Sequence, residues 1–167
     1  MKTHAKPFLK WAGSKKQLIN VIINRVPFSN SEQFTFIEPF LGSGAVLFEM
    51  LEKFPKMSKV IVNDINRELI DTYIQIRDNV HTVISDLQEK ADAYFSFSNE
   101  EEKREYFYQQ RELFNKRSTT KADHAALFIF LNKTCFNGLY RVNKKNEFNV
   151  PMGKYKNPLI CDSKNLQ

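Results

Sequence analysis

Between residues 36 and 44 the chain reads Phe36-Ile37-Glu38-Pro39-Phe40-Leu41-Gly42-Ser43-Gly44, two glycines set where a β-rich run gives way to a helical pattern. Glycine tolerates positive φ and lets a ligand approach the backbone closely. Asp64 closes the next β-branched run twenty residues after Gly44, the spacing at which a carboxylate accepts hydrogen bonds from a bound ribose. Glu38, Asn63 and Asp64 thus gather at the carboxyl ends of two successive strands, the edge where open α/β sheets bind ligands. The chemistry implied is that of an adenosine site. Leu47 stands where a dinucleotide fingerprint needs its third glycine, and no Gly-Lys-Ser/Thr follows, which argues against NAD and ATP. Plainer roles exist for both features: the glycines tighten a strand-to-helix corner, and Asp64 caps the helix that follows.

The elements that must position these groups are legible in the periodicity. Residues 35–38 and 59–62 are short β-rich runs, and 45–54 between them has a helical pattern, so strand, tight loop, helix and strand form a βαβ unit. Ahead of it, Leu18, Ile19, Ile22, Ile23 and Val26 predict an amphipathic helix over 15–26, stopped by Pro27. Behind it, helical spacing runs from Ile65 to Leu87. Ser98 with Glu101 three residues on resembles a capping box for an aromatic helix ending near Phe114. A polar loop over 116–121 leads to an apolar helix over 122–131. Runs 139–142 and 147–150, joined across 143–146, read as a β-hairpin with a basic tip.

The 167 residues carry a formal charge of +6, but its distribution says more. Residues 2–25 hold six bases and no acid, residues 133–156 hold six bases against Glu147, and the remainder is acidic. Two basic segments in an acidic chain suggest surfaces that face a polyanion. With 42% hydrophobic residues the chain has material for one core and is not a disordered segment. No apolar run approaches the ~20 residues of a membrane span, and the N-terminus has no signal-peptide core, so a cytoplasmic protein is expected. Cys135 and Cys161 have neither the number nor the spacing of a disulfide framework or zinc site, and His4, His81 and His124 are scattered, so no metal is implied.

Taken in order, Phe8-Leu9-Lys10-Trp11-Ala12-Gly13-Ser14-Lys15, then residues 36–48, then Asn63-Asp64-Ile65-Asn66, resemble the opening motifs of the Dam-type, D12 class DNA adenine N6-methyltransferases. Asn132-Lys133-Thr134-Cys135-Phe136-Asn137-Gly138-Leu139-Tyr140-Arg141-Val142-Asn143 is similar to the DNA-recognition hairpin of that family. Ser14 stands where the family's lead motif usually has a second glycine. The resemblance implies a partial Rossmann-like, S-adenosylmethionine-dependent α/β methyltransferase domain with a helical and β-hairpin recognition insertion. It places Trp11, Lys15, Glu38, Phe40, Gly42, Gly44 and Asp64 at the S-adenosylmethionine site. It places Phe136, Asn137, Leu139 and Arg141 against bases, with GATC as the target, and Lys10, Lys133, Lys144 and Lys145 against phosphates of double-stranded DNA.

The family's Asp-Pro-Pro-Tyr motif, which holds the flipped adenine, has no counterpart, since no two of the six prolines are adjacent. No catalytic residue is therefore assigned. The chain reads as the N-terminal portion of such an enzyme, inactive alone: residues 1–66 begin the cofactor-binding domain, 67–156 form the recognition region, and 157–167 start the return. A half sheet with an uncovered edge is expected to favour self-association. Two alternatives stay open: a non-catalytic DNA- or cofactor-binding remnant, and an unrelated α/β nucleotide-binding protein.

Overall fold

A computed structural model describes residues 4–167. The βαβ unit is present as read: β1 (Thr35–Glu38) pairs in parallel with β2 (Lys59–Val62), with Thr35 opposite Lys59 and Glu38 opposite Val62. The crossover helix follows α1 (Ile19–Ile23) in chain order and is α2 (Ala45–Lys53). Val46, Met50 and Phe54 bury against Phe34, and Ile22, Ile23 and Val26 of the α1 segment close over them. The opposite face of the sheet is bare, with Ile37 and Ile61 side by side and exposed.

The amphipathic helix expected over 15–26 is shorter than its pattern. A 3₁₀ turn occupies Lys15–Leu18, and α1 keeps only five residues. Neither start has a side chain capping it, and none of these residues is buried, so neither caps nor packing extend the helix.

The rest is a helical body. α3 (Arg67–Ser96) begins at Asn66, whose side chain accepts the Leu69 N–H, and is interrupted at Asn79 (φ −139°). α4 (Glu100–Lys116) starts one residue later than the expected cap, because Asn99 rather than Ser98 accepts the N–H of Glu102. α5 (Lys121–Thr134) is apolar on every side from Ala125 to Leu131 and buries ten of its fourteen residues, the behaviour of a helix at the centre of a core. It lies along α3 and beneath α4, and the short α6 (Ser163–Leu166) rests on α3.

The expected hairpin is present only as a short antiparallel pairing around its turn. Between the two runs a single antiparallel bridge joins Val142 and Phe148, a second joins Cys135 and Met152 beyond them, and neither run becomes a regular strand. Asn143 and Asn149 N–H still donate across the pair, to the Glu147 and Arg141 carbonyls, and the outward-facing backbone of Phe148 is bound by Asn115 on α4. The Asn115 side chain takes the Phe148 N–H (2.7 Å) and donates to the Phe148 carbonyl (3.0 Å), so the second run is tied to the helical body. At the turn, Asn143 Oδ1 accepts from Lys145 and Glu147 N–H, a side chain taking bonds a ladder would use. Phe136–Gly138 form a 3₁₀ turn.

Candidate cofactor cleft and nucleic-acid face

Backbone pairing continues past the strand ends: Asn63 N–H donates to the Glu38 carbonyl and Leu41 N–H to the Asn63 carbonyl, each at 2.9 Å. The glycine loop is thereby bound to the end of β2, and Asp64 completes the junction. Its Oδ2 accepts the Gly42 N–H at 2.9 Å and its Oδ1 the Asn66 N–H at 3.0 Å. Asp64 does not cap α3, a role taken by Asn66.

Trp11, Lys15, Glu38, Phe40, Gly42 and Asp64, brought together from three separate stretches of sequence, line one cleft of about 170 Å³. Gly44 does not line it. Gly44 sits at φ +72° as the first residue before α2, and a Cβ there would meet the Tyr73 hydroxyl at 2.7 Å and the Phe48 ring at 3.0 Å, so its role is to let the loop rest on α3.

The electrostatics are uneven. Glu38 is 7% exposed, and its Oε2 has no hydrogen-bond partner. Burial raises its pKa above the ordinary value, opposed by the Lys15 charge and the Leu47 N–H. Beneath the loop the buried Tyr73 hydroxyl is also unpartnered, and burial together with the Glu38 and Asp64 charges pushes its pKa far up. An unpartnered buried carboxylate oxygen facing a cleft has acceptor capacity for a polar ligand. Ile65, next to Asp64, is fully exposed and Phe40 is 73% exposed, so apolar surface flanks the carboxylate. Ile65 belongs to the Asn63-Asp64-Ile65-Asn66 motif, but the sequence alone assigns it no site role.

On the hairpin side, Phe136 and Leu139 are exposed apolar groups beside the exposed Asn137, which adopts φ +52°. Lys144 is exposed at the tip. Arg141 is also exposed, but its guanidinium is engaged: Nε donates to Asn149 Oδ1 (2.7 Å) and Nη2 to the Asn149 carbonyl (3.3 Å). Lys10 lies over the Tyr155 ring at 3.9 Å, and Lys133 is partly buried, with its pKa lowered by desolvation and by the Lys10 charge. Cys135 is buried and its thiol is pushed up to about 11, which leaves it protonated and unreactive at neutral pH. Among the described residues no group of His, Cys, Asp and Glu could hold a metal ion, and no helix is long and apolar enough to cross a membrane.

A second cavity of about 690 Å³ lies on the α3 side of Ile65, bordered by Asn66, Glu68, His124, Tyr140 and Asn146. Glu68 closes its floor by bonding His124 (2.6 Å) and Arg117 (3.0 Å), and Arg117 reaches on to the Asn146 carbonyl. Sequence reading assigned none of these groups. They are far apart in sequence and meet only through the packing of α3, α4 and α5.

The profile of the D12 class N6 adenine-specific DNA methyltransferases matches residues 11–167. The type II methyltransferase M.MjaIII of Methanocaldococcus jannaschii is 47% identical over 166 residues, covering 97% of this chain and 57% of that protein. The type II methyltransferase M1.LlaDCHI of Lactococcus lactis subsp. cremoris is 36% identical over 99% of this chain and 54% of its own length. The DNA adenine methylase of Escherichia coli (strain K12) is 36% identical over 95% of this chain and 51% of its own length. The chain spans about half the length of the curated relatives it matches. Because the profile runs without interruption through both the glycine-loop cleft and the basic turn beyond α5, the chain belongs to the D12 class N6 adenine-specific DNA methyltransferase family.

Proposed function

We propose that this protein serves N6 methylation of adenine in double-stranded DNA, with S-adenosylmethionine as donor and GATC as target. The observation that carries the cofactor assignment is the Asp64 carboxylate, which joins the Gly42 loop to the end of β2 at the head of the Trp11 cleft. A carboxylate offers about four lone-pair sites, so after accepting two backbone N–H groups Asp64 retains acceptors for two ribose hydroxyls. The unpartnered Glu38 Oε2 suits an ammonium group, Lys15 suits a carboxylate, and Trp11 and Phe40 offer apolar faces to a purine. These residues fit the two ends of S-adenosylmethionine. When bound, that cofactor supplies an electrophilic sulfonium methyl.

On the nucleic-acid side, Arg141 turns from Asn149 to guanine O6 and N7, Phe136 and Leu139 wedge beside bases, Asn137 contacts a base edge, and Lys10 and Lys144 neutralise phosphates. In this reading β1 and β2 begin a Rossmann-like sheet, residues 67–156 are the recognition insertion, and residues 157–167 return toward the cofactor domain. The uncovered sheet edge favours self-association. A cytoplasmic place and a restriction-modification setting suit a DNA-modifying protein with type II relatives.

The 167 residues alone transfer no methyl group, because they hold no Asp-Pro-Pro-Tyr to align the flipped adenine. Incubation with tritiated S-adenosylmethionine and a GATC duplex leaves the DNA unlabelled, whereas titration calorimetry registers S-adenosylhomocysteine. Stoichiometric labelling would overturn the first statement, and absence of calorimetric binding would overturn the cofactor assignment.

A further inference from the structure

Asn132 lies at the end of α5, 4% exposed, and its amide is fully committed. Oδ1 accepts the Lys10 N–H at 2.9 Å, and Nδ2 donates to the Lys10 carbonyl at 2.8 Å and to the Gly138 carbonyl at 3.0 Å. One side chain therefore pairs both backbone groups of Lys10, as a neighbouring strand would, while holding the turn that opens the recognition segment. Gly138 makes the approach possible. It sits at φ +63°, and a Cβ there would strike the Lys10 side chain.

Lys10 precedes Trp11, the wall of the cofactor cleft, and the indole stacks on Tyr140 of the recognition segment with centroids 5.8 Å apart and planes 23° apart. Two contacts thus join the same two segments, one polar and buried, the other aromatic. Neither segment moves relative to the other without breaking the two hydrogen bonds between Asn132 and Lys10 and sliding Trp11 off Tyr140.

We propose that Asn132 is a positioning residue that couples the cofactor cleft to the DNA-reading turn, so that occupancy of either site tightens binding at the other. The inference rests on the reading of the cleft as an S-adenosylmethionine site and of the turn as a duplex reader. Such coupling is reciprocal, and values of about fivefold or more are typical when two sites share a rigid connection. Loss of Asn132 leaves two carbonyls and one N–H without their partner and lets the segments move separately.

The test is a two-ligand cycle on the 167-residue chain. S-adenosylhomocysteine affinity is measured by calorimetry with and without a saturating GATC duplex, and duplex affinity by fluorescence anisotropy with and without the nucleoside. In the wild-type chain each ligand raises affinity for the other by about fivefold or more. In Asn132→Ala the ratio falls to about one. A purely structural loss lowers each affinity but leaves the ratio unchanged, and that result overturns the proposal, as does a wild-type ratio of one. If circular dichroism shows Asn132→Ala unfolded, Asn132→Asp, which keeps an acceptor for the Lys10 N–H and removes the donor to the Lys10 and Gly138 carbonyls, takes its place. A reduced ratio supports the coupling and an unchanged one overturns it. Failure of the wild-type chain to bind either ligand alone overturns the underlying functional reading, a result distinct from binding without coupling.

Discussion

The cleft lined by Trp11 and Asp64 and the helical body that carries the basic turn are built to different standards of burial. Around α2 only Phe34, Val46, Met50 and Phe54 form a buried cluster, beneath a two-stranded sheet whose other face exposes Ile37 and Ile61. The helical body gathers twenty-two buried residues among those described, with Phe107, Phe114, Phe130 and Leu127 wholly inaccessible. Hydrophobic stabilisation scales with apolar area removed from water. The side that carries the basic turn therefore rests on a core of its own, while the cleft depends on backbone pairing, the Asp64 junction and contacts to Trp11. Segments with little buried apolar area open most readily, which on this burial pattern are the glycine loop and its two strands.

The largest expected effect separates the two regions by stability. Phe130 is wholly buried between Tyr94 and Tyr106, and Phe130→Ala should cost about 3 to 5 kcal/mol in urea unfolding. Native-state hydrogen exchange on the unmodified chain should show α5 amides exchanging far more slowly than those of β1 and β2. Equal protection in the two regions would break the contrast.

Next come the two sites themselves. Asp64→Ala removes the partner of the Gly42 and Asn66 N–H groups as well as the ribose acceptor, and should weaken S-adenosylhomocysteine by about 1 to 3 kcal/mol with duplex affinity less affected. Unchanged calorimetric affinity would remove Asp64 from the site. Arg141→Ala should cost about 1 to 3 kcal/mol on a GATC duplex and relax discrimination at the guanine. Equal loss on matched and mismatched duplexes would reduce Arg141 to a phosphate contact.

A smaller effect concerns pH. Burial alone would raise the Glu68 pKa, but hydrogen bonds and charges from His124 and Arg117 bring it below the ordinary 4.5. With its folded value depressed, Glu68 contributes stability above its unfolded pKa, and that contribution is lost as pH falls through the folded one. Acid unfolding should thus begin below about pH 4.5, and Glu68→Gln should flatten that limb of the curve; an unaltered acid limb would show the pair to be inconsequential. The smallest effect is at the tip. Lys144→Ala should weaken all duplexes alike and reduce the salt dependence by about one counterion. A sequence-selective loss would place Lys144 on a base.

Much of the cleft was legible because its signals are local. The strands over 35–38 and 59–62, the glycine loop and the residue types at positions 11, 15, 38, 40, 42 and 64 are set by short-range pattern, turn chemistry and motif. Gly44 was grouped with the cleft because glycines of a loop look alike in sequence, and only Tyr73, arriving from α3, distinguishes it as a packing glycine. The hairpin is shorter than its pattern because turn-forming side chains compete with a ladder. Alternating residues on either side of a turn predict strands, yet Asn143 Oδ1 takes the Glu147 N–H that a longer ladder would use.

By itself, then, the sequence determined the family, the βαβ unit, the main helices and the residue types gathered around Asp64, since all of these follow from residue type at short spacing. Tertiary structure alone decided how the parts are joined. The Asn132 amide reaching Lys10 across 122 residues, Trp11 lying on Tyr140, and Glu68 binding His124 and Arg117 have no periodic trace. A single side chain that satisfies distant backbone or charge leaves the local hydrophobic pattern unchanged, and becomes visible only when packing brings its partners within hydrogen-bond reach.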